Sequence, residues 1–184
     1  MNSEQINIAD DATLVHLCSR NSAGAQKELF TRHAGAMMLI CLRYLSRTTD
    51  AQEAMMDGFL NAFRGISGFV WTGNGSLEAW LRTIMVNQCL MHLRKRRIDF
   101  LTQSNHHEEY AGTYEGAHEA LNMKDLLKMI HALPDGCRTV FNLYVFEDMT
   151  HKEIGEALNI SESTSKTQLH RARALLKEKI IQIT

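Results

Sequence analysis

Apolar residues recur along this chain at intervals of three and four, the period of a buried helix face, and rarely in the strict alternation of a strand. Leu14, Val15, Leu17 and Cys18 mark a short helix over 11–19. After the polar break RNSAG, where Ser22 suits a cap, a long helix runs to Leu45. Its apolar residues Leu29, Phe30, Met37, Met38, Ile40, Cys41, Leu42 and Leu45 cover so wide a face that it belongs at the centre of a bundle. A third helix is expected after SRTTD, with Thr49 and Gln52, or Asp50 and Glu53, spaced as a capping box. Met55, Phe59, Ala62, Phe63 and Ile66 form its apolar face, and Asp50, Glu53, Asp57 and Asn61 its polar one. Ser76 is placed to cap a fourth helix that turns Leu77, Trp80, Leu81, Ile84 and Met85 inward.

The pattern then lapses and resumes. Met123, Leu126, Leu127, Ile130 and Leu133 make one stripe, Pro134 breaks it, and Cys137, Val140, Phe141, Tyr144 and Val145 make the next. The expected fold is all-α: two small helical domains, 1–97 and 120–184, joined by a flexible linker over 98–119.

Residues 150–177, THKEIGEALNISESTSKTQLHRARALLK, carry the strongest functional signal. Thr150 and Glu153 have capping-box spacing, Ile154 and Leu158 give a buried stripe, and Asn159 suits a left-handed closing residue. Ile160 can plug the space between two helices, and Ser161 can cap the second. That is the anatomy of a helix-turn-helix. Burying Leu169, Ala172 and Leu176 leaves Lys166, Thr167, Gln168, His170 and Arg171 on outward or flanking positions that reach a major groove. Lys166, Arg171, Arg173, Lys177 and Lys179 stand against the single acid Glu178, a balance that favours phosphate.

Charge sharpens this picture. The chain of 184 residues is nearly neutral, 20 basic against 21 acidic, so any polyanion affinity rests on distribution. From Ala79 to Ile98 there is no acid, whereas Arg82 and the run Arg94, Lys95, Arg96, Arg97 are basic. Four consecutive cations exceed what a helix dipole of about half a charge can use. The linker is the reverse, with Asp99, Glu108, Glu109, Glu115 and Glu119 and no Lys or Arg. His106, His107 and His118 lie beside those acids, but their spacing has no metal-site logic, so no metal and no cofactor is assigned. The loop GISGFVWTGNG holds Phe69, Val70 and Trp71 among glycines, aromatics that either pack or stack on an unpaired base. Cys18, Cys41, Cys89 and Cys137 are scattered, as reduced core cysteines are. Neither the amino-terminal stretch nor any apolar run suggests a signal peptide or membrane insertion, so a cytoplasmic protein is expected.

These residues match a known family: the chain resembles an extracytoplasmic-function (ECF) sigma factor, a promoter-recognition subunit of bacterial RNA polymerase. DAQEAMMDGFLNAFRGI is similar to the family's second conserved segment, and GSLEAWLRTIMVNQCLMHLRKRR to its promoter-melting helix. HALPDGCRTVFNLYVFEDMTHKEIGEALNISESTSKTQLHRARALLK is similar to its final domain. The resemblance implies that Asp50, Glu53, Asp57, Phe59 and Asn61 hold the beta-prime clamp of core RNA polymerase. It implies that Trp71, Asn74, Ser76, Arg82, Asn87, Arg94, Lys95, Arg96 and Arg97 open the minus-ten element of promoter DNA. Lys166, Thr167, Gln168, His170, Arg171 and Arg173 would read the minus-thirty-five element while the same domain contacts the beta flap. The acidic linker would thread polymerase channels that otherwise hold nucleic acid, and an anti-sigma factor is an expected partner.

Departures from the family pattern stand at Met56-Asp57, where Gln-Glu is common, at Gln168, where Arg is usual, and at Ser165, where an apolar residue is usual. Gln favours adenine edges over guanine or phosphate. Ser165 is expected to weaken core packing by about 1 kcal/mol. Competing readings are a dimeric helix-turn-helix regulator acting without polymerase and a metal-dependent hydrolase built on the linker histidines; the sequence holds no nucleophile, paired-carboxylate or phosphate-loop motif for an enzyme.

Overall fold

The computed structural model describes residues 10–102 and 120–183, with side chains over 10–95 and 125–181. Regular structure among the described residues is entirely helical, and the chain divides into two compact units, Met1–Tyr110 and Ala111–Thr184.

The first unit contains α1 (Asp11–Ser19), α2 (Ala23–Tyr44), α3 (Thr48–Gly65), a short 3-10 turn (Ile66–Gly68) and α4 (Ser76–Thr102). Asp10 caps α1 by accepting the Thr13 amide at 2.6 Å, and Ser22 caps α2 by accepting that of Ala25 at 3.4 Å. The core is built by Leu29, Met37, Cys41 and Tyr44 of α2, Ala51, Ala54, Phe59 and Ala62 of α3, and Leu77, Leu81, Met85 and Cys89 of α4. Small residues on α3 make this close packing feasible. A side chain at Gly58 would collide with the Met85 sulfur, so the thioether occupies the space that glycine leaves.

The capping box expected at the start of α3 does not form. The helix begins at Thr48 after Arg47, which provides no side-chain cap, and the Thr49 hydroxyl instead meets the Asp50 carboxylate at 3.4 Å. Leu45 and Ser46 are buried immediately upstream. Thr49 and Asp50 already lie within the helix, so neither takes the extended conformation that a capping residue needs.

The second unit contains α5 (Ala120–His131), α6 (Asp135–Val145), α7 (His151–Leu158) and α8 (Glu162–Ile183). Leu127, Ile130, Leu133, Cys137, Val140, Leu143, Ile154, Leu169 and Ala172 form its core. Pro134 ends the α5 segment as expected, and the turn there is locked by Arg138, whose side chain is fully buried. Its guanidinium donates to the carbonyls of His131 at 3.2 Å and Leu133 at 3.1 Å and pairs with Asp135. A buried cation is tolerable only when its donors are used in this way.

The helix-turn-helix takes the form its sequence implies. Thr150 and Glu153 cap each other reciprocally, the Thr150 amide donating to Glu153 at 2.7 Å and the Glu153 amide to the Thr150 hydroxyl at 3.3 Å. The Thr150 hydroxyl also donates to the Glu153 carboxylate at 2.7 Å, and this bond first, then that from the Thr150 amide, holds the carboxyl below its usual range. Asn159 closes α7 in the left-handed region (φ 54°), and Ser161 accepts the Thr164 amide at 3.0 Å to cap α8. Between them a Cβ at Gly155 would lie 2.8 Å from the Ile160 carbonyl oxygen, which is backbone and cannot swing aside.

Two glycines therefore respond oppositely to alanine. Gly155→Ala should destabilise the second unit by about 1–3 kcal/mol through overpacking. Gly35→Ala, within α2 with open space at its Cβ, should stabilise the first by about 0.5–1 kcal/mol. Denaturant unfolding followed separately in each unit measures both signs.

Candidate nucleic-acid and partner surfaces

On α8 the inward residues Ser165, Leu169 and Ala172 are buried, and Lys166, Thr167, His170, Arg171 and Arg173 are exposed. Spacings of three and four gather these five on the solvent side of one helix. Lys166 is paired with Glu162 at 2.6 Å, and this bond draws the Glu162 carboxyl below its ordinary range. The Thr167 hydroxyl donates to the Ser163 carbonyl at 3.0 Å.

Gln168 departs from the sequence expectation of a base-reading side chain. It is partly buried, and its amide oxygen accepts from the Cys137 thiol of α6 at 2.9 Å. The Gln168 amide also packs beside Gly136, where a Cβ would make ordinary van der Waals contact with it. The amide group thus joins two helices of the unit.

Ser165 also acquires a role that its residue type concealed. Its side chain is fully enclosed, yet its hydroxyl is 2.9 Å from Nδ1 of His151 on α7. The His151 ring stacks on Tyr144 of α6 with centroids 4.8 Å apart, and the Arg173 guanidinium lies 5.5 Å from the centre of that Tyr144 ring. A chain of polar and aromatic contacts therefore runs from one face of α8 through α7 and α6 back to α8. The expected loss of core packing at Ser165 is offset by a hydrogen bond whose net contribution is about 1 kcal/mol. Neither His151 nor Tyr144 stood out in the sequence as part of this surface; a hydroxyl at an apolar helix position was the only hint.

In the first unit, the glycine-rich loop separates its aromatics. Phe69 packs on Trp80 with ring centroids 4.9 Å apart, Trp71 is partly buried, and Val70 is 73% exposed. Gly73 (φ 123°) and Gly75 (φ 83°) supply backbone angles that other residues rarely adopt. Ser76 is the first residue of α4 rather than its cap. Its hydroxyl donates to the Gly73 carbonyl at 2.7 Å and accepts the Thr72 amide at 3.4 Å, closing the loop. Asn74, Asn87, Arg94 and Lys95 are exposed, and Arg82 is partly buried. Asn87 and Arg94 are two turns apart and share a helix face. The side chains of Arg96 and Arg97, and the acidic stretch with His106, His107 and His118, lie outside the described residues.

The outer face of α3 places Glu53 and Asn61 in solvent, with the Asp57 side chain 50% exposed. Asp50 is partly buried and 3.9 Å from Arg47 Nε. Phe59 does not belong to this face. It is 2% exposed, its ring 4.8 Å from that of Phe30 and 6.2 Å from that of Phe63, because its position on the helix points into the bundle. Met56 and Leu60, about half exposed, stand beside Glu53 and Asp57 at helical spacing. The face thus combines acids with apolar side chains, a mixture suited to a protein partner.

Comparison with known proteins is consistent with both units. Residues 29–98 match the family model for Sigma-70 region 2, and residues 123–176 match that for Sigma-70, region 4. The ECF RNA polymerase sigma factor SigW of Bacillus subtilis (strain 168) is 29% identical over 157 residues, covering 77% of this chain and 81% of that one. The RNA polymerase sigma factor YlaC of the same strain is 30% identical over 146 residues, covering 74% and 83%. In fold, the chain is similar to the sigma factor RpoE from Bartonella quintana, solved in complex with the anti-sigma factor NepR. That likeness has a TM-score of 0.58 at 20% identity, over 83% of this chain and 94% of that one. Two matched regions and a relative at this identity place the chain in the ECF family of RNA polymerase sigma factors, and its function is promoter-specific initiation of transcription.

Proposed function

We propose that the chain works as a bipartite promoter reader docked on core RNA polymerase. The observation that carries this reading is the two-sided character of α8: Ser165, Leu169 and Ala172 are enclosed, and Lys166, Thr167, His170, Arg171 and Arg173 face solvent. These five read the minus-thirty-five element, His170 and Arg171 being candidates for base edges and Lys166 for phosphate. DNA phosphate competes with Glu162 for Lys166, so part of the binding energy replaces an existing ion pair. Gln168, the sixth expected reader, is engaged in the free chain by the Cys137 thiol, a weak donor that a base edge can replace.

The first unit supplies the other half. Its loop presents Trp71 and Asn74 to a base leaving the minus-ten duplex, and Arg82, Asn87, Arg94, Lys95, Arg96 and Arg97 follow the separated strand along α4. Ser76 shapes that loop through Gly73 and Thr72. Asp50, Glu53, Asp57 and Asn61, with Met56 and Leu60, dock on the beta-prime clamp, and the second unit meets the beta flap. The acids of 98–119 act as polyanion mimics within polymerase channels. An anti-sigma factor is a further partner, a reading supported by the similarity to a sigma factor solved with one. The catalytic work belongs to the polymerase, to which this chain lends promoter specificity. No helix among the described residues is long and apolar enough to cross a membrane.

Three outcomes are expected. Arg171→Ala should cost about 1–3 kcal/mol of discrimination at the upstream element, read from holoenzyme affinity for promoters with single base changes there; unchanged preference removes Arg171 from the reading set. Trp71→Ala should slow strand opening, followed by permanganate reactivity, more than it weakens closed-complex binding, and equal effects would contradict base capture. The double change Glu53→Lys and Asp57→Lys should weaken capture by core polymerase about tenfold or more, roughly 1.4 kcal/mol, whereas undiminished capture would place the docking surface elsewhere.

A further inference from the structure

On the outer side of the first unit, Glu53 and Asp57 lie one helical turn apart on α3, and His92 of α4 reaches toward them. One ligating atom from each of the three lies within 4.8 Å of the others. We propose that Glu53, Asp57 and His92 bind one divalent transition-metal ion of the Zn2+ class, and that the bound ion masks the acidic docking face for core polymerase. The second half rests on the docking role proposed above for Glu53 and Asp57.

The geometry admits a metal in the place of a long, unbonded ion pair. Nε2 of His92 is 3.7 Å from the Asp57 carboxylate, too far for a hydrogen bond. The imidazole side chain is only 19% exposed, so packing holds the ring in place, whereas Asp57 is half exposed and Glu53 lies in solvent. A tetrahedral ion with bonds of about 2.0–2.2 Å needs ligand atoms roughly 3.3 Å apart. Rotamer changes of the two mobile carboxylates close the remaining gap of about 1 Å or more. Three protein ligands leave a fourth position for water. An imidazole with two carboxylates suits Zn2+, Co2+ or Ni2+ better than Mg2+ or Ca2+, which prefer oxygen alone.

Occupancy would change the surface chemistry of α3. Two carboxylates and a neutral imidazole carry two negative charges, which a divalent ion cancels. A basic partner surface would then lose its attraction at the site, and the carboxylates, fixed on the metal, could not turn toward it. A signal borne by a metal ion would in this way reach transcription through the sigma subunit itself.

The test uses the full chain in two arms. In the first, Zn2+ binding is followed by calorimetry, and Co2+ is used as a spectroscopic stand-in whose visible absorption reports nitrogen ligation. One ion per chain is expected. His92→Gln and Glu53→Gln should each lower affinity at least tenfold, since loss of even a supporting partner costs about 10–100-fold. Replacing His106, His107 and His118 together by Gln should leave this binding intact. Absence of Zn2+ binding, or binding that ignores His92 and follows the other histidines, overturns the site. In the second arm, Zn2+ should weaken capture of the wild-type chain by core polymerase about tenfold and spare His92→Gln. Equal capture with and without Zn2+ overturns the masking role. Failure of the docking reading is distinguished by the metal-free chain: there the Glu53→Lys and Asp57→Lys pair would keep full capture, whatever Zn2+ does.

Discussion

The second unit depends on the approach of Gly155 to the Ile160 carbonyl. There is no room at that point for a Cβ, and the Ile160 amide returns a hydrogen bond of 3.0 Å to the Gly155 carbonyl. With Asn159 in the left-handed region, this contact makes the turn tight and sets the direction in which α8 leaves α7. Ser161 then accepts the Thr164 amide in the first turn of α8, and Ser165 and Gln168 bind the helix to His151 and Cys137. An exposed reading face is useful only if the buried side fixes its azimuth. Two polar bonds specify a rotation about the helix axis more sharply than apolar packing of Leu169 and Ala172 does alone.

Arg173 connects that internal order to the surface. Its position over the Tyr144 ring, which itself stacks on His151, restricts an otherwise mobile cation before any nucleic acid arrives. Under the reading proposed for α8, part of the ordering cost of a contact with nucleic acid is met in the free protein. The first unit uses a different device. Small residues on α3 admit Met85 and draw α4 close, so the polar face of α3 and the basic side of α4 are carried on one packed scaffold.

What the sequence made legible was what depends on near neighbours. The Thr150–Glu153 box, the left-handed Asn159 and the cap at Ser161 are set by residues within four positions, and each forms as its spacing implies. The all-helical fold and its two units follow from stripes long enough to override local propensity. The sequence was less informative where a distant partner decides. Phe59 follows the family's docking segment by position but packs against Phe30 from another helix. Gln168 stands at an outward or flanking position by helical count yet tilts to a thiol on α6, and Ser165 has its hydrogen-bond partner, His151, on α7. The start of α3 falls at Thr48, ahead of both expected boxes, and Ser76 closes a loop because Gly73 and Gly75 turn the backbone toward it. The exposure of Met56 and Leu60 has no signature in local pattern, and only the family comparison drew attention to Met56.

The central claim is that both units act together, on polymerase, to choose a start site. Run-off transcription with purified core polymerase, this chain and fragmented genomic DNA tests it most directly. Transcripts should appear only when the chain is present, and their starts should share two spaced elements, one upstream read through α8 and one melted beside the Trp71 loop. Tight binding of the chain alone to a palindromic duplex, with no transcripts in the presence of core polymerase, would contradict the account.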